Sequence, residues 1–563
     1  MRNAIRDDDH EPPGRRTRQV RHQPRDDRFE LPRTYERLMQ SVNWIPFYDD
    51  GRVVMFGRAD AAEPDRTTFK NNRLEPELRA YRVSQPVPSV DRPPTPTTWI
   101  DDIFRNRLLG RPQAHTNSAV RWLQGSPSPD GQQGLPDPAR CILAIREART
   151  AIAKNPDDWV AYRLLAAAYR FLMQQETALL AGIPPTKENQ PRISMLVPNI
   201  EMLSTRFQQR VTALNYAIQT TPPATSLEAR GELQGLHLEL FQLFLQANFL
   251  DLARDHLQTA LDLNPPEETP TEALSRYRQQ LEQLNQAVQQ IGDNMTDLQV
   301  ERQAGPIEKA MLARSQGAPG LAIGELEEAE RGSMSPMVVR PQLVDLYNST
   351  GQPDRALELL SMGATEDPNL GSEPGMSFKR QGQVYLLLGN YLSAASLWQE
   401  RAIPRLRYDR SMRALQMSQV FGRGDLIPAI NSDQQIPALV SRQAFWNYEL
   451  GMALLESGEP ERAAEAFAQA LKLQPDLPAR PIIAYYLERM GRPVAEPPKS
   501  TESGAAAAPL SPAQELLGGT PPAVVGAPSA PAPPAGNAPA PAADALKPKD
   551  APAPTAGAEA KKP

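Results

Sequence analysis

The sequence predicts an all-α fold: a solenoid of antiparallel helix pairs, with a small helix and β-hairpin piece near its start and disordered ends. Three observations predict it. Small and large apolar residues recur at fixed offsets, with a period of about 34 residues. The chain has 40% hydrophobic residues but only 6% aromatic ones. Its 58 prolines cluster outside the periodic stretches, so part of the chain reads as unfolded. The clearest periodic unit is 444–477, AFWNYELGMALLESGEPERAAEAFAQALKLQPDL. Gly451, Ala463 and Ala470 are small where two helices must approach closely, and Leu454 and Phe467 fill the remaining space. Gly458 permits the turn, and Pro475 stops the second helix.

These offsets resemble the tetratricopeptide repeat. Poorer copies repeat them on either side. Residues 1–33 mix Arg, Asp and Pro and are expected to be a disordered, charged arm. Within 34–60, TYERLMQSV is a short helix candidate, and WIPFY and RVVMF flank Asp50-Gly51, a strong hairpin signal. Pro46 marks the first of these strands as an edge, and a lone hairpin must dock on something. Through Trp44, Tyr48, Asp50, Gly51, Phe56 and Arg58, this piece also resembles the end of the soluble domain of bacterial membrane glycosyltransferase-like proteins. The multi-span membrane region of that group has no counterpart in the sequence.

Residues 61–138 read as a Pro-rich linker, with one amphipathic island, TWIDDIFRNRLL. A first repeat block is expected over 139–269. Ala144, Ala148 and Ala151 match a second helix, and Tyr162, Leu165, Ala166 and Tyr169 a first helix opened by Asp158 as N-cap. After an insertion containing Pro184, Pro185 and Pro191, the spacing returns in Phe244, Asn248, Ala253, Leu257 and Ala260. Residues 270–302 form one long Gln-rich helix with Leu274, Leu281, Leu284 and Val288 near heptad spacing, either an irregular repeat helix or a contact for another chain. A second block spans 303–492. Its copies begin near 303, 337, 375 and 444, residues 409–443 are degenerate, and PARPIIAYYLERMG caps the stack. The Ala/Pro-rich stretch 493–563 is expected to be a disordered tail.

Composition narrows function. A net charge of −6 and a pI near 5.7 argue against a nucleic-acid binder. Lone Cys141 leaves no intrachain disulfide or Cys-based zinc site. No window approaches the ~20 apolar residues of a membrane helix. The first residues lack the apolar core of a secretory signal, so a soluble, cytoplasmic protein is expected, with peripheral association with the cell envelope left open. His10, His22, His115, His237 and His256 form no metal-ligand pattern, and no phosphate loop, dinucleotide fingerprint or nucleophile elbow occurs. No cofactor and no catalysis are therefore expected. Arg423-Gly424-Asp425 reads as turn chemistry, and the Asn294 and Asn348 glycosylation patterns lack a supporting context.

The repeat resemblance implies a groove lined by the first helix of each unit and filled by a partner peptide or helix. Carried onto this chain, its contact positions are Arg163 and Arg170, then Lys379, Gln383 and Leu386, then Tyr448, Met452 and Leu455. The chaperone-tail-binding subclass pairs a Lys with an Asn, whereas Lys379 is followed by Gln383. The leading expectation is a non-catalytic scaffold or adaptor for a protein partner. The alternatives are a soluble part of a cell-envelope glycosyltransferase system and a self-assembling structural protein.

Overall fold

A computed structural model describes residues 17–21, 37–38, 44–49, 53–58, 74–90, 93–95, 112–124, 136–184, 189, 193, 203–223, 227–263, 272–332, 335–362, 375–421 and 435–494. The amphipathic island at 98–109, the Asp50-Gly51 turn, Arg423-Gly424-Asp425, and the tail beyond 494 lie outside them.

The chain begins with a three-stranded antiparallel sheet in the order β1-β3-β2: β1 (Thr17–Arg21), β2 (Trp44–Asp49) and β3 (Val53–Arg58). Residues 17–21, expected in a disordered arm, instead pair with β3 from Thr17↔Gly57 to Arg21↔Val53. This pairing completes the marginal hairpin with a third strand. The register of β2 slips between Pro46 and Tyr48, next to the proline that cannot donate to a ladder. Leu38, Val54 and Phe56 form a small core of their own, with Trp44 packed on it.

Helices α1 (Pro76–Tyr81) and α2 (Gln113–Leu123) follow. The stretch read as a linker is thus partly helical and fixed to the repeats. Ala80 and Tyr81 are fully buried, and the Tyr81 ring lies 5.9 Å from that of Tyr486. Beyond α1 the chain runs extended, and the N–H groups of Gln85 and Val87 donate to the carbonyls of Gly458 and Ser457 at 3.0 and 2.9 Å. Pro86 and Pro88 suit such a strap, because proline loses little freedom when the chain is held extended.

The first block comprises α3 (Pro138–Lys154), α4 (Trp159–Ala181), α5 (Ser204–Thr220), α6 (Leu227–Gln246) and α7 (Leu250–Asp262). Asp137 and Asp158 cap α3 and α4 through their side chains. Ala144, Ala148 and Ala151 are completely buried, so α3 packs closely on its neighbours. The long helix α8 (Glu272–Arg302) leads into the second block and covers Leu284, Val288, Ile291 and Met295 inside the chain.

The second block stacks four helix pairs and a cap. These are α9 (Pro306–Ser315) with α10 (Pro319–Arg331), and α11 (Pro336–Ser349) with α12 (Pro353–Ser361). Next comes α13 (Met376–Leu387) with a bent second helix made of α14 (Tyr391–Leu397), a π-helical turn (Trp398–Ala402) and α15 (Ile403–Phe421). The last pair is α16 (Gln435–Glu456) with α17 (Pro460–Leu473), capped by α18 (Arg480–Arg489). The close approach inferred for 444–477 is real: a Cβ on Gly451 would lie 2.6 Å from the Phe467 ring, and Ala463 and Ala470 are completely buried.

Neighbouring pairs stack in chain order, as in a solenoid, and the ends then meet. Helix α18 packs on α4 and α1, α16 on α3, and α5 on both α11 and α13. One apolar core therefore joins the first block to residues 386–487. A second core, from Ile291 to Leu360 with Val384, holds α8 to α9–α12. No helix among the described residues is long and apolar enough to cross a membrane.

Candidate functional site

In the second block, the first helices α11, α13 and α16 present the side chains that would face a partner. Helices α3, α4 and α5 of the first block lie against that face. Arg206 of α5 is buried between Glu176 of α4, at 3.3 Å, and Glu456 of α16. Gln209 Nε2 and Tyr169 Oη donate to Glu456 Oε2, each at 2.9 Å, and Tyr486 Oη donates to Glu176 Oε1 at 2.8 Å. Burial lowers the guanidinium's pKa, but the Glu176 carboxylate beside it outweighs this and holds Arg206 above its ordinary value. The result is a satisfied ionic network at the seam between the blocks.

Arg146 of α3 makes a second tie. Its Nε and Nη2 donate to the Leu455 carbonyl, and its Nη1 and Nη2 to those of Arg79 and Ala80. Desolvation draws its pKa down to about 10, yet one guanidinium serves the C-terminal carbonyls of both α16 and α1.

These ties correct the expected groove. Leu386, Tyr448, Met452 and Leu455 are buried in the shared core, where Met452 Sδ lies 3.7 Å from Arg206 Nη2. Arg163 and Arg170 remain partly exposed but face α6, paired with Glu232 and, at 3.9 Å, with Glu239. Apolar first-helix residues that would greet a partner in an open solenoid meet the chain's own first block instead.

Lys379 and Gln383 do come together, but they too are buried, against the start of α5. A cleft of about 130 Å³ lies there, between α11, α13, α16 and the start of α5. Lys379 Nζ is 2.9 Å from Glu449 Oε2, 3.2 Å from Gln383 Oε1 and 4.1 Å from the Trp398 ring centroid. Thr205 Oγ1 donates to Glu449 Oε1 at 2.7 Å, and Gln383 Nε2 to Gln208 Oε1 at 2.9 Å. Arg380 clasps Asp345 in a two-pronged pair at 2.9 and 3.0 Å. Asn348 is 2% exposed and lines the cleft, and its Oδ1 finds no donor in the chain among the described residues.

Asp345, Asn348 and Arg314 were missed by the sequence reading. The signal was present: Asp345 precedes Gly351 by the interval at which Gln383 precedes Gly389. Applying the contact offsets to the 303 and 337 copies would have found them. Arg380 and Glu449 fall outside those offsets and become visible only in three dimensions.

Residues 444–477 match the tetratricopeptide repeat family. The match covers the α16–α17 hairpin from Ala444 onward. No curated protein matches the chain. Among solved structures, the crystal structure of the TPR domain of P58(IPK) is similar at 14% identity, over 63% of this chain and 94% of that one. Its TM-score of 0.18 is too low for any argument from superposition. The resemblance of residues 34–58 to membrane glycosyltransferase-like proteins is not confirmed by the repeat-family match or by the TPR-domain structure.

Proposed function

We propose that the protein is a protein-interaction scaffold whose partner segment enters the cleft between α11, α13 and α16. The observation that carries this reading is the buried Asn348 carbonyl oxygen. An unpaired buried acceptor costs about 1–3 kcal/mol, and the backbone N–H of an incoming chain is a donor of the right kind. The Arg380–Asp345 and Lys379–Glu449 pairs flank it with both signs of charge, which favours a polar peptide over an apolar ligand. Because helices of the first block lie against this face, the partner contact is short, and the expected affinity is that of a transient complex.

The test compares proteins retained by the full-length chain with those retained by Asn348→Leu and Arg380→Glu variants of equal melting temperature. A set of partners retained by the parent and lost from both variants is expected. Identical retention by all three would remove the cleft as the binding site.

A further inference from the structure

The π-helical turn has a sequence cause and an outward consequence. Pro404 has no N–H to offer the Glu400 carbonyl, and the Ile403 N–H reaches back to Trp398 O in a five-residue step. Trp398 is thereby held fully buried, its Nε1 donating to the Lys379 carbonyl at 3.0 Å. Beyond this turn the helix does not stop where a repeat would. It runs on to Phe421 as α15, through the stretch that reads as degenerate in sequence.

Helix α15 turns Ile403 and Leu406 inward, where both are buried. Arg401, Arg405, Tyr408 and Met412 recur at helical spacing on the outer face, and all four are exposed; Arg407, also exposed, points off this face. Tyr408 is 54% exposed. Arg405 lies over the Tyr408 ring at 5.6 Å and meets Asp409 at 3.4 Å. Among the described residues, neither Arg401 nor Arg407 is paired with a carboxylate. Arg401 and Arg405 thus put positive charge on this face of a chain of net charge −6.

We propose that this face of α15 is a second docking surface, for an acidic segment of a partner protein. Arg, Tyr and Met are the residue types enriched at protein interfaces, and the arginines carry the charge complement. A membrane surface fits less well, because Ile403 and Leu406 of this helix are packed in the core and do not insert. The overall negative charge disfavours a nucleic acid.

The experiment measures fluorescence anisotropy of a labelled Glu-Glu-Phe repeat peptide with the full-length chain. Phosphatidylserine vesicles, duplex DNA and a Lys-rich peptide serve as the comparison probes. The acidic peptide is expected to bind in a salt-sensitive way. The Arg401→Glu/Arg405→Glu variant should weaken it at least about tenfold, and Tyr408→Ala by several-fold. The milder Arg401→Gln/Arg405→Gln variant should weaken it at an unchanged melting temperature, which guards against misfolding of the charge reversal. Arg380→Glu, in the cleft, should leave it intact, so the two proposed sites can fail separately. Absence of peptide binding, equal binding by the glutamine variant, or preference for vesicles or DNA would overturn the proposal.

Discussion

Ala463 has no exposed surface and lies one turn before Phe467, the ring that packs against Gly451. A larger side chain has no room to enter. Ala463→Leu is expected to cost roughly 1–3 kcal/mol. Thermal melting checks this, and an unchanged midpoint would mean that the residue does not face the helix pair. His237 and His256, which read as ordinary surface or groove side chains in the sequence, meet with Nδ1 atoms 2.9 Å apart, and Phe244 stacks on His256. Burial, aided by the His237 charge, draws the His256 pKa down to about 3. A depressed histidine favours the fold above its unfolded pKa of about 6.5, and that contribution fades as the pH falls from there towards 3. His256→Phe should therefore flatten the loss of stability over that acid range. Denaturant midpoints measured across it would show an equal slope in both proteins if the pair were not buried.

The repeat helices were legible because packing residues signal their own positions. Alanine and glycine offsets found α16–α17 and the poorer pairs, since a close helix approach admits little else. The strap and α1 were not legible. Proline and arginine hide the few residues that dock there, and Tyr81 and Val87 have no periodic neighbours to mark them. Strand β1 is similar: TRQVR is mostly polar, and only its pairing with β3 defines it. Gly458 joins the two kinds of element. It turns the α16–α17 hairpin at φ +87°, and an added Cβ would sit 1.9 Å from the Gln85 carbonyl oxygen. Gly458→Ala is thus expected to strain the turn by about 1–2 kcal/mol and to release the strap. Limited proteolysis should then cut within 84–90 before the repeats unfold. Protection equal to the parent's would show that the strap is held by other contacts.

Across the whole molecule, the repeats close on themselves. The sequence announces a surface for a partner, yet helices α3, α4 and α5 of the same chain lie against it. That outcome could not be read from spacing, because an offset rule gives each helix a face without saying which neighbour covers it. Polar residues show the same limit. Glu176, Arg206 and Glu456 look like ordinary surface charges in sequence, and only the meeting of α4, α5 and α16 makes them a buried network. Such a network is a device for specificity more than for net stability, since its Coulomb gain is set against the desolvation of three charges. Removing one member is costly for the same reason, because a carboxylate is then left buried and unpaired.

The most direct test of closure is a double-mutant cycle between Arg206 in the first block and Glu456 in the second. Single variants Arg206→Met and Glu456→Gln, and the pair together, are compared by denaturant unfolding of the full-length chain. If the blocks meet at this network, Arg206→Met alone costs about 3–5 kcal/mol. The double variant then recovers part of that loss, with a coupling of at least about 1 kcal/mol. Strictly additive effects, within about 0.5 kcal/mol, would mean that the two residues do not touch and that the solenoid is open.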